Sequence, residues 1–430
     1  MNNMISKVLK LISVNLGGLP KKLANASMYF SASLVQVVVG LILSPILSMH
    51  LGHRDFAIVG YFNSFNALFV PLTSFTLSSF YGKHYFVVNQ AQRENMRKTI
   101  ASTLLVFGLA STVVILAIFW VYTRLYDTGY GFFPYALLCY SNLVFSNIYA
   151  FYLLNLRLSK KATNFLWVNI AHHGAYLLAM ILLCAVLKFG AAGSLAGTSV
   201  VSLVFGLFFF FKLTDRIRLD KKILKDALRF CWPLILAGCI DYFTNGVDRA
   251  MLAGFKDDVN LGLYSIALRF SGYIYMFYAA ISMTLEPDFF QALSTKRYGR
   301  MVKISLGLIL MNLLVVGAFV VAAPLILKIL TVGRYTAASR LARIMALKNI
   351  SASVFFIIST VIIIKGYTKV ALINKIVAAV FVSSLFRFLI SKYQFEGAAW
   401  GQVLSYVVFT LVSGLFLVYK LAQKKRLKSA

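Results

Sequence analysis

Charge is what this chain has least of for its size. Only 13% of its 430 residues are Asp, Glu, Lys or Arg, while 60% are hydrophobic and 15% aromatic; a water-soluble domain carries roughly 25% charged residues. That balance excludes a soluble globule and describes a polytopic membrane protein whose surface faces lipid. Alternating strands of about ten residues are absent, which excludes a spanning β-barrel and leaves helices. Catalytic signatures are missing too. No lysine follows a glycine-rich phosphate loop, no nucleophile sits on a glycine-flanked elbow, no metal-ligand cluster occurs, and no soluble domain could house a transferase. The four cysteines, Cys139, Cys184, Cys231 and Cys239, fall inside apolar stretches without metal-ligand spacing, and read as buried free thiols. Met1 to Pro20 lacks the compact apolar run and cleavage site of a signal peptide, so the first span is expected to act as an uncleaved anchor. No cofactor is implied.

What is present is a series of apolar windows long enough to cross about 30 Å of hydrocarbon. They lie near 27–49, 56–80, 99–122, 134–157, 163–188 and 190–211, and again near 230–254, 261–287, 301–323, 341–364, 369–391 and 396–420. The chain is therefore expected to be an all-α membrane protein of twelve helices. Of its 43 basic residues, 29 collect on the side that holds both termini, among them Lys212 to Arg229, Lys296 to Lys303 and the tail Lys424, Lys425, Arg426 and Lys428. Nine fall on the other side, an asymmetry that places both termini in the cytoplasm and accounts for the net charge of +30 without nucleic acid.

Two halves are legible. Leu203-Val204, Gly206-Leu207-Phe208 and Lys212-Leu213 recur 208 residues later as Leu411-Val412, Gly414-Leu415-Phe416 and Lys420-Leu421, and Gly193 matches Gly401. Residues 1–211 and 230–430 are expected to form two six-helix lobes related by a pseudo-twofold axis along the membrane normal. The basic segment 212–229, with helix-like spacing, is expected to join them as a helix on the cytoplasmic surface. Pro324 to Tyr335, opened by proline and closed by Gly333, is expected to be a short outer helix.

Five basic residues remain inside the spans: Arg249, Arg269, Lys348, Lys375 and Arg387. Each costs roughly 2.5–3.5 kcal/mol at membrane depth unless an anion, a carboxylate or water compensates. Arg249, Lys375 and Arg387 lie within about six residues of a helix end, near enough to snorkel, whereas Arg269 and Lys348 lie about 12 Å deep. Those two are the best candidates for an anion site. Arg340 and Arg343 lie at the outer mouth of the tenth span, and Arg340 shares a helical face with Lys348. In the seventh span Asp241, Asn245 and Asp248, at i, i+4 and i+7, stack on one face of a helix. They read either as a proton or sodium site that couples transport to a gradient, or as ion pairs with nearby cations.

Other polar residues carry weaker signals. His172 and His173 point to different faces, so at most one is expected to face a cavity, as a proton relay or an interhelical hydrogen bond. Asn142, Ser146 and Tyr149, and Asn63 and Asn66, could line a sugar-sized cavity or hold helices together. Pro45, Pro71, Pro233 and Pro287 mark kinks. The pair Asp257-Asp258 is expected to be a solvated turn.

One run resembles a known family. Asp248-Arg249, then Leu261-Gly262-Leu263-Tyr264-Ser265-Ile266-Ala267 and Arg269, is similar to the pattern of bacterial polysaccharide flippases, the O-antigen and exopolysaccharide exporters of the multidrug/oligosaccharidyl-lipid/polysaccharide superfamily. Leu51-Gly52 through Asp55-Phe56, Gly190-Ala191-Ala192-Gly193, Pro324 through Tyr335 and Glu396-Gly397-Ala398-Ala399 agree in order and spacing. The resemblance implies two six-helix lobes that move an oligosaccharide linked to undecaprenyl diphosphate from the cytoplasmic to the outer leaflet of the inner membrane by alternating access. The partners it implies are that lipid, H+ or Na+, and glycan polymerases or transferases, with the chain acting as a monomer. In this chain the embedded charges lie in the second lobe, whereas such proteins often carry them in the first. Two rivals stand beside this reading. A drug or organic-cation antiporter would favour an acidic cavity, against which five embedded cations outnumber Asp241, Asp248 and Glu286. A membrane enzyme of glycan assembly would need a large outer loop, and the longest outer connection is only about 17 residues.

Overall fold

The computed structural model describes residues 21–294, 297–364 and 368–429; the side chains of 21–26, 33, 279–281, 283–294, 363–364, 368–371 and 420–429 lie outside that description. The expectations for Met1 to Pro20, for the Glu286 side chain and for the basic tail therefore fall outside the described residues. Among the described residues the chain is helical throughout. Eight helices are long and apolar enough to cross a bilayer alone, and the bent pair of the second span makes a ninth. Of the other expected spans, the seventh is broken, the eighth is the continuous helix Asp258–Ser294, and the eleventh and twelfth run together in one long helix.

The first lobe holds Lys21–His50, the broken second span, Gln90–Leu125, Tyr135–Leu158, Ala162–Val186 and Gly190–Leu213. The second holds a broken seventh span followed by Asp258–Ser294, Tyr298–Leu330, Ala338–Ile364 and Thr368–Ser429. The last of these is two spans, because Gln394 leaves the helical region at φ 48° and ψ −120° between them.

The interruptions lie where the lobes meet. The second span runs as His53–Ser64 and Asn66–Ser74, bent by 41°, with Pro71 unable to donate into the ladder. Phe75 and Thr76 then take the left-handed conformation before Leu77–His84. The seventh span begins at Lys221, carries Pro233, and stops at Ile240. A single turn, Tyr242–Asn245, and a second short helix, Val247–Ala253, follow on either side of Gly246. Broken backbone at membrane depth is tolerated only where protein or a cavity surrounds it.

Two expectations are corrected. The segment 212–229 is not one surface helix. Residues 214–220 leave the helical conformation, tied to the third span by Lys98 with Asp215 at 3.0 Å, Asn95 with Asp220 at 3.0 Å and the Arg218 amide with Ser102 at 2.9 Å. Lys221 to Arg229 are instead the first turns of the seventh span, started by Asp220, whose carboxylate accepts the Lys222 and Ile223 amides. Nor does Pro324 open a separate helix: it lies inside Tyr298–Leu330, the kind of interruption that neighbouring groups satisfy in membrane helices. The helix ends at Leu330, and the expected closing residue Gly333 lies three residues further on, in the turn that follows, at φ +76°.

The cap at Asp220 makes a pH-dependent contribution. The Ile223 amide, with the Asn95 side chain and the Lys222 amide, holds its carboxyl below the usual range. The stabilisation is therefore fully present above the unfolded value, near pH 4, and is lost as pH falls through the depressed folded value. Asp220→Ala is expected to cost about 1 kcal/mol at neutral pH, seen as a lower Tm whose gap to the unsubstituted protein narrows in acid.

Candidate functional site

A cavity of about 540 Å³ opens between the lobes, lined by the first, fifth, sixth and eighth spans. Gln36 and Gly40 come from the first, His172, His173 and Tyr176 from the fifth, Thr198 and Ser202 from the sixth, and Arg269, Tyr273 and Met276 from the eighth. No lining residue carries a carboxylate. The Arg269 Nε donates to the Tyr273 hydroxyl at 3.2 Å, which in turn lies 3.3 Å from Ser44 Oγ. No carboxylate forms an ion pair with Arg269 among the described residues, so an anion entering the cavity meets an arginine whose charge is not already neutralised. Both histidines line the cavity, contrary to the expectation that one at most would. Their rings stand at 89° with centroids 5.2 Å apart, and His172 stacks on Tyr149 at 4.2 Å. The cavity wraps far enough around the fifth span to touch two adjacent faces.

The other predicted cations lie elsewhere. Lys348 does not line the cavity; its Nζ donates to Gln402 Oε1 at 2.8 Å, lies 3.5 Å from Asn245 Oδ1 and sits 5.8 Å from the Tyr406 ring centre. Arg249 turns inward rather than snorkelling, donating to the carbonyls of Gly60 at 3.4 Å and of Asn245, with its Nε 3.7 Å from Asp248. Lys375 pairs with Asp241 at 2.7 Å and also donates to the Ala237 carbonyl. Arg387 is exposed on the eleventh span and Arg343 is exposed on the tenth. Arg340 pairs with Glu396 at 2.9 Å, both at the surface.

The three polar residues of the seventh span do not share one face of a continuous helix, because the chain breaks between them. Asp241 faces Lys375, Asn245 faces Lys348, and Asp248 is fully buried. Asp248 Oδ2 accepts from Tyr264 at 2.5 Å and from Gln402 Nε2 at 2.8 Å. Gln402 and Tyr264 are thus functional candidates that a search for charge alone passes over. Asn142 donates to Ser199, and Ser146 to Ser202, across the fourth and sixth spans.

At the predicted outer end the lobes are closed on one another. Asp258, expected in a solvated turn, lies 3.5 Å from Arg54 and accepts from the Tyr130 hydroxyl at 2.6 Å, both in the other lobe. Lys256 meets Asp127 at 2.6 Å. Arg334 donates to the Ser48 carbonyl at 2.8 Å and Tyr335 to that of Leu51. The partners are more than a hundred residues apart, so no local pattern reveals them. The turn is exposed, with Gly254 to Lys256 at the surface, and the Asp258 carboxylate in addition holds two groups across the seam.

Comparisons with known proteins agree with this architecture. The sequence profile of the polysaccharide biosynthesis protein family matches residues 22–293, and that of the MatE family matches residues 233–389. A comparison with curated proteins finds no match. Among solved structures, the lipid II flippase MurJ in an inward closed conformation superposes with a TM-score of 0.72 at 13% identity, over 92% of this chain and 87% of that one. An inward-facing multidrug resistance MATE family transporter of the MOP superfamily gives 0.66 at 16% identity, over 91% and 95%. An outward-facing one gives 0.63 at 18% identity, over 96% and 98%. Likeness at such identities establishes the fold: twelve membrane helices in two lobes.

Proposed function

The chain belongs to the polysaccharide biosynthesis protein family, a multi-pass membrane family of the flippase and transporter superfamily, and from that premise we propose that it flips a lipid-diphosphate-linked oligosaccharide from the cytoplasmic to the outer leaflet. The observation that supports this most is the inter-lobe cavity, which offers Arg269 and two histidines and no carboxylate. An organic cation would find nothing to neutralise it there, whereas a diphosphate would find a guanidinium able to donate two parallel hydrogen bonds. Hydroxyls and amides of Gln36, Tyr176, Thr198 and Ser202 on the facing walls suit the first sugars. We take the closed seam to lie on the outer side, which makes this the state proposed to load from the cytoplasm; opening that seam and closing the other side would deliver the headgroup outward. We place the protein in the bacterial inner membrane with both termini in the cytoplasm, on the asymmetry of its basic residues. We propose that the lobes divide within 214–220, between the sixth span ending at Leu213 and the seventh beginning at Lys221, instead of at 211 and 230. The seventh-span cluster of Asp241, Asn245 and Asp248 is proposed to couple the cycle to a proton or sodium gradient.

The test is flipping of a fluorescent undecaprenyl diphosphate glycan in proteoliposomes, read as protection from an impermeant quencher. At limiting substrate, Arg269→Ala is expected to slow flipping about 10- to 100-fold, the equivalent of one lost charged hydrogen-bonding partner, and Arg269→Lys to recover part of it. Equal rates in all three proteins would remove Arg269 from the headgroup site. Export of cationic dyes without lipid flipping would favour the drug antiporter instead.

A further inference from the structure

The cluster between the seventh, eighth, tenth and twelfth spans has the oxygen donors of a small cation site, yet a cation is already there. We propose that the Lys348 ammonium is the resident cation of this cluster and that a free sodium ion does not bind in it. The argument rests on the orientation of Gln402. Its Nε2 donates to the Asp248 carboxylate at 2.8 Å and to the Thr244 carbonyl at 3.1 Å, two acceptors that only an N–H can satisfy. Its Oε1 must then face the other way, where Lys348 Nζ lies 2.8 Å off. Asn245 turns its own carbonyl oxygen to the same Nζ at 3.5 Å, and the face of Tyr406 stands behind it at 5.8 Å. Amide oxygens and an aromatic face converging on one point are what a compact monovalent cation requires.

The charge balance excludes a second one. Around Lys348 are Asn245, Asp248 and Arg249 from the seventh span and Gln402 and Tyr406 from the twelfth, with Tyr264 of the eighth bonded to Asp248. Arg249 lies 3.7 Å from Asp248 and the pair Asp241–Lys375 closes on itself at 2.7 Å. The single carboxylate of the cluster, Asp248, already answers two cations, so an added sodium ion would meet net positive charge where repulsion is weakly screened. This rests on the coupling reading above and narrows it, since it removes Na+ as the ion bound beside Asn245 and Asp248, and it is tested without any transport measurement.

Purified full-length protein in detergent is unfolded by heat in sodium chloride and in choline chloride at equal ionic strength. The unsubstituted protein is expected to have the same Tm in both. Lys348→Ala empties the Nζ position and leaves both amide oxygens facing it, so sodium alone is expected to raise its Tm, on the order of 2 °C at about tenfold over its Kd. Lys348→Met, which refills the space without charge or donor, is expected to show no response. A sodium-specific rise in the unsubstituted protein that Asp248→Asn abolishes would overturn the proposal, as would a folded Lys348→Ala protein blind to sodium. Should the alanine variant fail to fold, equilibrium binding of radioactive sodium to the unsubstituted protein decides the matter, binding at one site per chain overturning it and absence supporting it.

Discussion

Replacing Asp248 by leucine is expected to remove about 3–5 kcal/mol of stability, more than any other single change in the polar cluster. The cost does not come from the lost pair itself, since burying a carboxylate and a guanidinium is itself expensive. It comes from what stays behind. Arg249, only 16% exposed at its side chain, would keep its charge with no carboxylate beside it, while the Tyr264 hydroxyl and the Gln402 amide would each lose an acceptor in a region without water. Asp241→Leu gives the contrast. That carboxylate is 45% exposed and its lysine partner 27%, so water takes over part of the solvation and the expected loss is about 1 kcal/mol or less. Thermal unfolding in one detergent ranks the two. The mechanism is checked by adding Arg249→Met to Asp248→Leu: if an orphaned charge is the cause, the double variant regains most of the loss, and if it stays as unstable as the single one, the charge is not what matters.

The spans were readable because lipid imposes one demand on each of them, an apolar run of sufficient length, and composition alone reports it. Their interruptions were not. Asp241, Asn245 and Asp248 look like one face of a helix because spacing says nothing about whether the backbone between them is continuous, and the break at Gly246 depends on the Ser64 carbonyl of the second span lying where a side chain would go. Two charges of similar depth part company: Arg269 lines the cavity, whereas Lys348 lies against the uncharged amide of Gln402. Gln402 escaped notice since a neutral side chain carries a smaller penalty in an apolar window than a charge does. Counting amides at mid-span as well as charges would have found it. Snorkelling distance failed for Arg249 because reach to the interface is only one way to stabilise a cation; two backbone carbonyls and a carboxylate are another. Asp258 was beyond any local reading, its partners Arg54 and Tyr130 being brought to it only by the meeting of the lobes.

That meeting depends on a glycine, and Gly262→Ala is expected to shift the protein away from the closed seam by about 10- to 100-fold. A Cβ at Gly262 would run into the His53 carbonyl oxygen and lie 3.0 Å from the carbon and Cα of the same residue, all of them backbone atoms that cannot rotate aside. The neighbouring contact is as tight: a Cβ at Gly60 would come within 2.7 Å of the Ser265 Cβ. Overpacking of this kind costs about 1–3 kcal/mol. Because it falls on the closed state and not on one in which the eighth span has moved off the second, the whole cost appears as a change in population. Asp258 lies one turn before Gly262, so the same displacement draws its carboxylate away from Arg54 and Tyr130 and loosens the seam further. Spin labels at Leu125→Cys and Val259→Cys, exposed positions on opposite sides of the seam, report the outcome as a distance distribution by pulsed electron paramagnetic resonance. Of the native thiols Cys139, Cys184 and Cys231 are buried, but Cys239, also expected to be buried, is half-exposed and is replaced by serine before labelling. A longer distance gaining weight in the alanine variant marks opening. An unchanged distribution with a lowered Tm would show that the glycine serves packing within one state and does not set closure of the seam.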